Sequence, residues 1–362
     1  MTTYVVYILT FLLSLLFAKV AQKKNKKKYI VLAALVLTVI AGLRAESVGI
    51  DTKNYAELFG HIADGNLNLA YGLETSFKYI CAFLLGIWNN FNFLYFVFAL
   101  LTNLLIFLRL WDFRDRISLP WATTVYFGVF YFMTFNIMRQ FVAAAIIFYA
   151  TKYLAKKKYF KFFVFVAVAF LFHKSALLGV GFIALDIFAW KYLSKRQKRM
   201  LVWVIMLGSA AVAFFGATII GRYSNYFNNI QFNFGLMLFL KLAFFVLSVL
   251  FVSNPYTDEC DERGYSEKAY TFAAVRGYYL VGILATMLEY FFPYMGRIGI
   301  YFYLFEMVYM GMLFKSRKTD IVMKLIMIFV VLLYLYTAIF GNGQGQGEYL
   351  FVWQASQSGL VV

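Results

Sequence analysis

The chain has 362 residues, of which 63% are hydrophobic, 14% are charged and three are proline, and it carries a formal net charge of +17. A water-soluble enzyme of this length needs far more polar surface, whereas helices crossing lipid must be apolar on nearly every face because the bilayer offers the backbone no hydrogen bonds. Its two cysteines, Cys81 and Cys260, build no disulfide framework and no CxxC or Cys/His spacing for zinc. The composition therefore describes an all-α polytopic membrane protein, read as a single integral-membrane domain over 1–362.

The first apolar run, Thr3 to Phe17, has no basic residue before it and is followed by Lys19, Lys23, Lys24, Lys26, Lys27 and Lys28. A secretory signal peptide has the opposite order, so this run is an uncleaved span with the lysines in the cytoplasm and the N-terminus outside. A crossing takes about 20 residues at about 1.5 Å each. About 12 spans fit: 3–19, 29–43, 91–110, 119–135, 137–155, 157–173, 175–190, 200–217, 236–253, 269–290, 296–314 and 320–340. The apolar stretch Glu74 to Trp88 is read as an outer-face or partly inserted helix, because a full crossing there would put Arg109, Arg114 and Arg116 outside.

This layout gives outer loops near 44–74 and 218–235, cytoplasmic loops near 20–28, 111–118, 191–199 and 254–268, and an outer tail over 341–362. Of the 34 Lys and Arg residues, 25 fall in cytoplasmic segments, an asymmetry that supports this orientation. The excess of basic charge thus reports topology and contact with anionic membrane lipids rather than a nucleic-acid partner.

Polar residues inside or beside spans are costly and therefore informative. Asn136, Arg139, Gln140 and Ala143 have i, i+3, i+4 and i+7 spacing, a polar stripe near the outer end of the fifth span. The stripe faces protein or water, the alternative for Arg139 being a snorkelling interface residue. His173 lies at the outer turn between two short spans, with Ser175 beside it. Its imidazole suits a general base, or it satisfies a carbonyl at a helix end. Asp51 follows Gly49 in the polar segment entered from Arg44, and it either caps the helix starting near Thr52 or contacts substrate. Arg222 stands among Tyr223, Tyr226 and Phe227 in an outer loop, and Arg297 follows Glu289 and Tyr294. By topology Arg44, Arg139, His173, Arg222 and Arg297 all reach the outer leaflet, a set of fixed cations with few carboxylates nearby that suits a diphosphate or another anion.

Two features are read as bland. Asp258, Glu259, Asp261 and Glu262 occupy a short cytoplasmic loop with Arg263 and Lys268, and the alternation Gly341, Gly343, Gly345 and Gly347 reads as a flexible exit.

Arg44 with Val48-Gly49-Ile50-Asp51-Thr52 and Tyr55, then Phe135-Asn136-Ile137-Met138-Arg139-Gln140, Lys157-Lys158, Lys161-Phe162 and Phe172-His173-Lys174-Ser175-Ala176, resembles the EpsG family of Wzy-like exopolysaccharide and capsule polymerases. The resemblance implies a GT-C-type glycosyltransferase architecture with an outer-leaflet cavity. It implies a substrate, an oligosaccharide repeat unit on undecaprenyl diphosphate, and transfer of the growing chain onto the nonreducing end of an incoming lipid-linked unit. Under that chemistry Arg139, with Arg222 or Arg297, stabilises the leaving diphosphate; His173 is the candidate base with Asp51 as competitor; Arg44 binds either phosphate or the loop that carries Asp51; Asn136, Gln140, Arg222, Arg297 and Glu289 contact the diphosphate or sugar. No cofactor or metal is expected, and the expected partners are the lipid-linked oligosaccharide, a chain-length regulator and other polysaccharide-assembly proteins. A flippase for the same lipid-linked sugar, a membrane acyltransferase and an oligosaccharide ligase are the competing readings.

Overall fold

The computed structural model describes residues 3–185, 236–252, 254, 267–288 and 295–357. Among them the regular elements are all helical, and the single β-bridge joins Arg44 to Phe351. The chain forms two compact units, one of Met1–Leu177 with Val331–Val362 and one of Leu178–Val330.

The first unit opens with α1 (Thr3–Lys24) and α2 (Lys27–Gly42). They pack side by side, joined by Asn25 in a left-handed turn at φ 48°. Helix α3 (Thr52–Ala63) and helix α4 (Thr75–Ile87) follow, then α5 (Phe91–Asp112), packed on α2. Helix α6 (Leu119–Val125) runs on through a π-helical turn at Tyr126–Tyr131 into α7 (Met133–Asn136). The chain breaks at Ile137 and starts again as α8 (Met138–Ala155), which is followed by α9 (Tyr159–Phe170) and a 3-10 turn at Lys174–Val180.

Helices α1 and α5 have 22 residues each and α15 (Ile321–Phe340) has 20, long and apolar enough to cross a membrane. Among the described residues only these three helices meet both conditions. At about 1.5 Å per residue they reach about 30 Å, the thickness of the hydrocarbon layer. The outward faces of α1 and α15 are apolar: Tyr4, Leu9, Leu12 and Leu16 on α1, and Leu325, Phe329, Leu332 and Tyr336 on α15, are all exposed. Exposed apolar stripes of this length have no place in water and mark a lipid-facing surface. Helix α4 has 13 residues, with Tyr79, Phe83 and Ile87 outward and Phe77, Cys81 and Leu85 inward. Both sets recur every four residues, the helical spacing that separates a lipid face from a protein face.

The interior of the first unit centres on α8, most of whose side chains are buried. Ala143, Ala144 and Ala145 give it a narrow waist, which lets α5 and α9 approach closely. One end of this unit is tied by Gln22, which donates to the Ile117 carbonyl at 2.8 Å and accepts from the Leu119 amide at 2.8 Å, and by Arg114, which donates to Asn25 at 3.0 Å. The other end holds Arg44, Asp51, Asn136 and the chain after Phe340. Because α1 and α2 run from one end to the other, the lysine cluster at 19–28 and the polar cluster lie at opposite ends.

The second unit contains α10 (Gly181–Ala184), α11 (Leu236–Phe251), α12 (Glu267–Leu288), α13 (Met295–Tyr303) and α14 (Phe305–Lys315). Its interior is aromatic, with Phe182 stacked on Phe302 at 4.2 Å between ring centres, and it buries Glu306, which accepts from the Tyr279 hydroxyl at 3.2 Å.

Two sequence expectations change. Asn136 is not on the helix that carries Arg139, because the turn at Ile137 ends α7 before α8 begins. The glycine run 341–347 is no flexible exit: it folds back onto the Gly49 loop, and the chain after it pairs with the segment that follows α2. The physical reason is hydrogen bonding. The Gly49 amide donates to the Gly345 carbonyl at 2.9 Å, the Ala45 amide to the Leu350 carbonyl at 2.8 Å and the Val352 amide to the Leu43 carbonyl at 3.0 Å.

Candidate functional site

Arg139 stands one residue into α8, immediately after the Ile137 break, so its guanidinium leaves the helix at the polar end of the first unit. It is paired with Glu74, and the same Nη1 donates to the Gly72 carbonyl at 3.2 Å. The Phe77 ring lies 5.7 Å from the guanidinium, and Nε is buried with no hydrogen-bond partner. Tyr55 on α3 lies against it. Burial pushes the Tyr55 phenol above its ordinary value, Arg139 pulls it back, and Asp51 adds to the rise. The sequence reading missed both Glu74, treated as the start of an apolar stretch, and the packing of Tyr55 on Arg139. The available signal was a lone carboxylate opening an outer helix.

Glu74 precedes α4 in an extended conformation and makes no capping bond of its own. One carboxylate oxygen, Oε2, faces Arg139; the other, Oε1, accepts from the Lys174 amide at 3.2 Å and lies 4.0 Å from His173 Nε2. Arg139 and His173 are thereby brought to the same carboxylate. His173 Nδ1 accepts from the Ser175 amide at 3.2 Å and lies 2.6 Å from the Ser175 hydroxyl. A ring nitrogen that accepts from an N–H carries no hydrogen, so the neutral tautomer holds its hydrogen on Nε2, towards Glu74.

Asp51 occupies the residue before α3, yet its side chain makes no capping bond. Its amide donates instead to Asn136 Oδ1 at 3.3 Å. Asn136 spends its other amide atom on the tail, donating to the Gln344 carbonyl at 3.0 Å and to Gln344 Oε1 at 2.8 Å. The Asp51 carboxylate is left half-buried beside Tyr55, on a loop clamped from both sides. Gln344 had no role in the sequence reading, because a residue in a glycine run gives no periodic signal.

Arg44 is 2% exposed and donates to the Ala41 and Phe135 carbonyls between the rings of Tyr95 and Phe135, each 4.6 Å away. Its side-chain bonds join the last turn of α2 to α7. Gln140 is buried inside α8. Arg297 is exposed on α13 in the second unit, while Arg222 and Glu289 lie outside the described residues. Among the described residues no group of three or more His, Cys, Asp or Glu is placed to hold a metal ion.

A helical membrane protein with a guarded arginine, two carboxylates and an oriented imidazole at one end of its first unit is the class that fold and site define. The family model described as the EpsG family matches residues 27–352, and the chain belongs to that family. Neither a curated protein nor a solved structure matches it. Membership points to an exopolysaccharide repeat-unit polymerase in general, a glycosyltransferase-type membrane enzyme.

Proposed function

We propose that the protein polymerises a lipid-linked oligosaccharide at the outer leaflet of a bacterial plasma membrane, moving the growing glycan from undecaprenyl diphosphate to the nonreducing end of an incoming repeat unit. About 12 spans in a GT-C-type arrangement form its frame. The observation that carries this reading is Arg139: within a family of polymerases, a guanidinium beside a carboxylate at the end of the bundle remote from the lysine cluster. As the glycosidic bond breaks, charge builds on the diphosphate oxygen, and a fixed guanidinium stabilises that charge more than it stabilises the intact donor.

Asp51 takes the proton of the acceptor hydroxyl. It qualifies because its carboxylate is not consumed in capping α3 and is held on a clamped loop beside Tyr55. His173 serves by orientation, since its Nδ1 already accepts from the Ser175 amide and its Nε2 hydrogen is directed at Glu74.

In cells that depend on this chain, Arg139→Ala is expected to abolish long polymer and leave lipid-linked repeat units accumulating on the outer face, with normal protein level. Repeat units trapped inside would instead establish a flippase, and normal polymer length would remove Arg139 from the reaction.

A further inference from the structure

Arg139 faces a requirement that its role as a diphosphate ligand leaves open: a cation built for an anion already has one. Glu74 sits on the guanidinium by Oε2, while its Oε1 reaches the opposite way, to the Lys174 amide at 3.2 Å and towards His173 Nε2 at 4.0 Å. The carboxylate is therefore strung between two sets of donors. One set is engaged closely, and the second includes an N–H at a distance too long for a hydrogen bond. The His173 ring is held for this second position from behind, by the Ser175 amide and hydroxyl on Nδ1. On the far side of Arg139, Nε is buried without a partner, so the guanidinium's capacity to donate is not used up by Glu74 and Gly72.

Resting on the polymerase reading, we propose that Glu74 is the resident counter-ion of Arg139, that a lipid diphosphate displaces it towards His173 on entry, and that its return expels the product diphosphate. The charge balance favours this order. A glycosyl diphosphate donor is a diester with about two negative charges, which outbids a single carboxylate for a bidentate guanidinium. Departure of the sugar leaves a terminal phosphate with about one more negative charge, a tighter ligand that would stall the site. A carboxylate kept within reach by the Lys174 amide competes for Arg139 at that moment and lowers the barrier to release. It also keeps the half-buried guanidinium paired when no substrate is bound, avoiding the cost of an uncompensated charge.

The test is binding of farnesyl diphosphate to the full chain in detergent, with melting recorded for each variant. The wild type is expected to bind and Arg139→Ala to lose binding. Glu74→Gln, which keeps the shape and removes the charge, is expected to bind about tenfold tighter and to show a lower kcat together with a lower KM on lipid-linked repeat unit. Should Glu74→Gln fail to fold, Glu74→Asp, whose charge is withdrawn by one methylene, is expected to bind at least about threefold tighter. Unchanged or weaker binding by the folded glutamate variant, where Arg139→Ala still abolishes binding, overturns the displacement alone. No binding by the wild type, or binding indifferent to Arg139, overturns the diphosphate role of Arg139 and this inference with it.

Discussion

Arg44 and Arg139 carry the same charge and both sit at the polar end of the first unit, yet their surroundings assign them opposite work. Arg44 is fully enclosed by two rings and two backbone carbonyls, so removing it strips the junction between α2, α5 and α7. Arg44→Met is expected to lower stability by roughly 2 to 4 kcal/mol through lost charge-assisted bonds and ring contacts, read as a fall in Tm of the detergent-solubilised protein. Loss of Arg139, whose side chain is 17% exposed and paired with Glu74, is expected to cost turnover far more than stability. Asp51→Asn is expected to reduce kcat by about a hundredfold or more while leaving farnesyl diphosphate binding intact, as the loss of a proton acceptor does. Equal loss of binding would show Asp51 to be a ligand rather than a base. The sequence exposed these arginines and Asp51 by position alone. It left Glu74 unread because a carboxylate at the head of an apolar helix looks like a boundary, and only the fold brings α4, α8 and the turn after α9 together.

At the level of elements, the segment after α15 is the clearest gain over the sequence. A run of alternating glycines has no hydrophobic period, so nothing in it signals a docked conformation. The structure shows why glycine is used: Gly345 has φ +71°, and a Cβ there would meet the Ile50 amide nitrogen at 2.7 Å and the Gly49 carbonyl carbon at 2.8 Å. Gly49 itself has φ +103°, so two left-handed residues face each other where the tail crosses the loop. Gly345→Ala is expected to cost about 1 to 3 kcal/mol and to raise hydrogen exchange over residues 44–52, since Gln344 and Gly345 hold that loop through Asn136 and Gly49. Gly343→Ala provides the contrast. A Cβ at Gly343 meets no atom within 4 Å, and the change is expected to stay within about 0.5 kcal/mol. By contrast the break between α7 and α8 was legible to within a residue, because Phe135 to Gln140 passes from apolar to polar between two long apolar runs. What the sequence misjudged there was the face of Asn136, an error that follows from running a helical period through a turn.

For the molecule as a whole, composition alone was enough to place the chain in a membrane, and α1, α5 and α15 lie where the apolar windows put them. Span counting is less legible, because α4 and α9 are apolar at 13 and 12 residues and hydropathy does not distinguish a short crossing from a partly inserted helix. Orientation is open to a direct check. In a background lacking Cys81 and Cys260, a membrane-impermeant maleimide is expected to label Asn68→Cys in intact cells and Lys26→Cys only after permeabilisation, since the two positions lie at opposite ends of the first unit. The reverse pattern would put Arg139 and Asp51 in the cytoplasm and exclude an outer-leaflet reaction. The central claim is met most directly by incubating the purified full chain in liposomes with the lipid-linked repeat unit and no nucleotide sugar, and resolving the products by gel. A ladder spaced by one repeat unit, absent with Arg139→Ala, is the predicted result; a single unchanged band from wild-type protein that binds the substrate would contradict it.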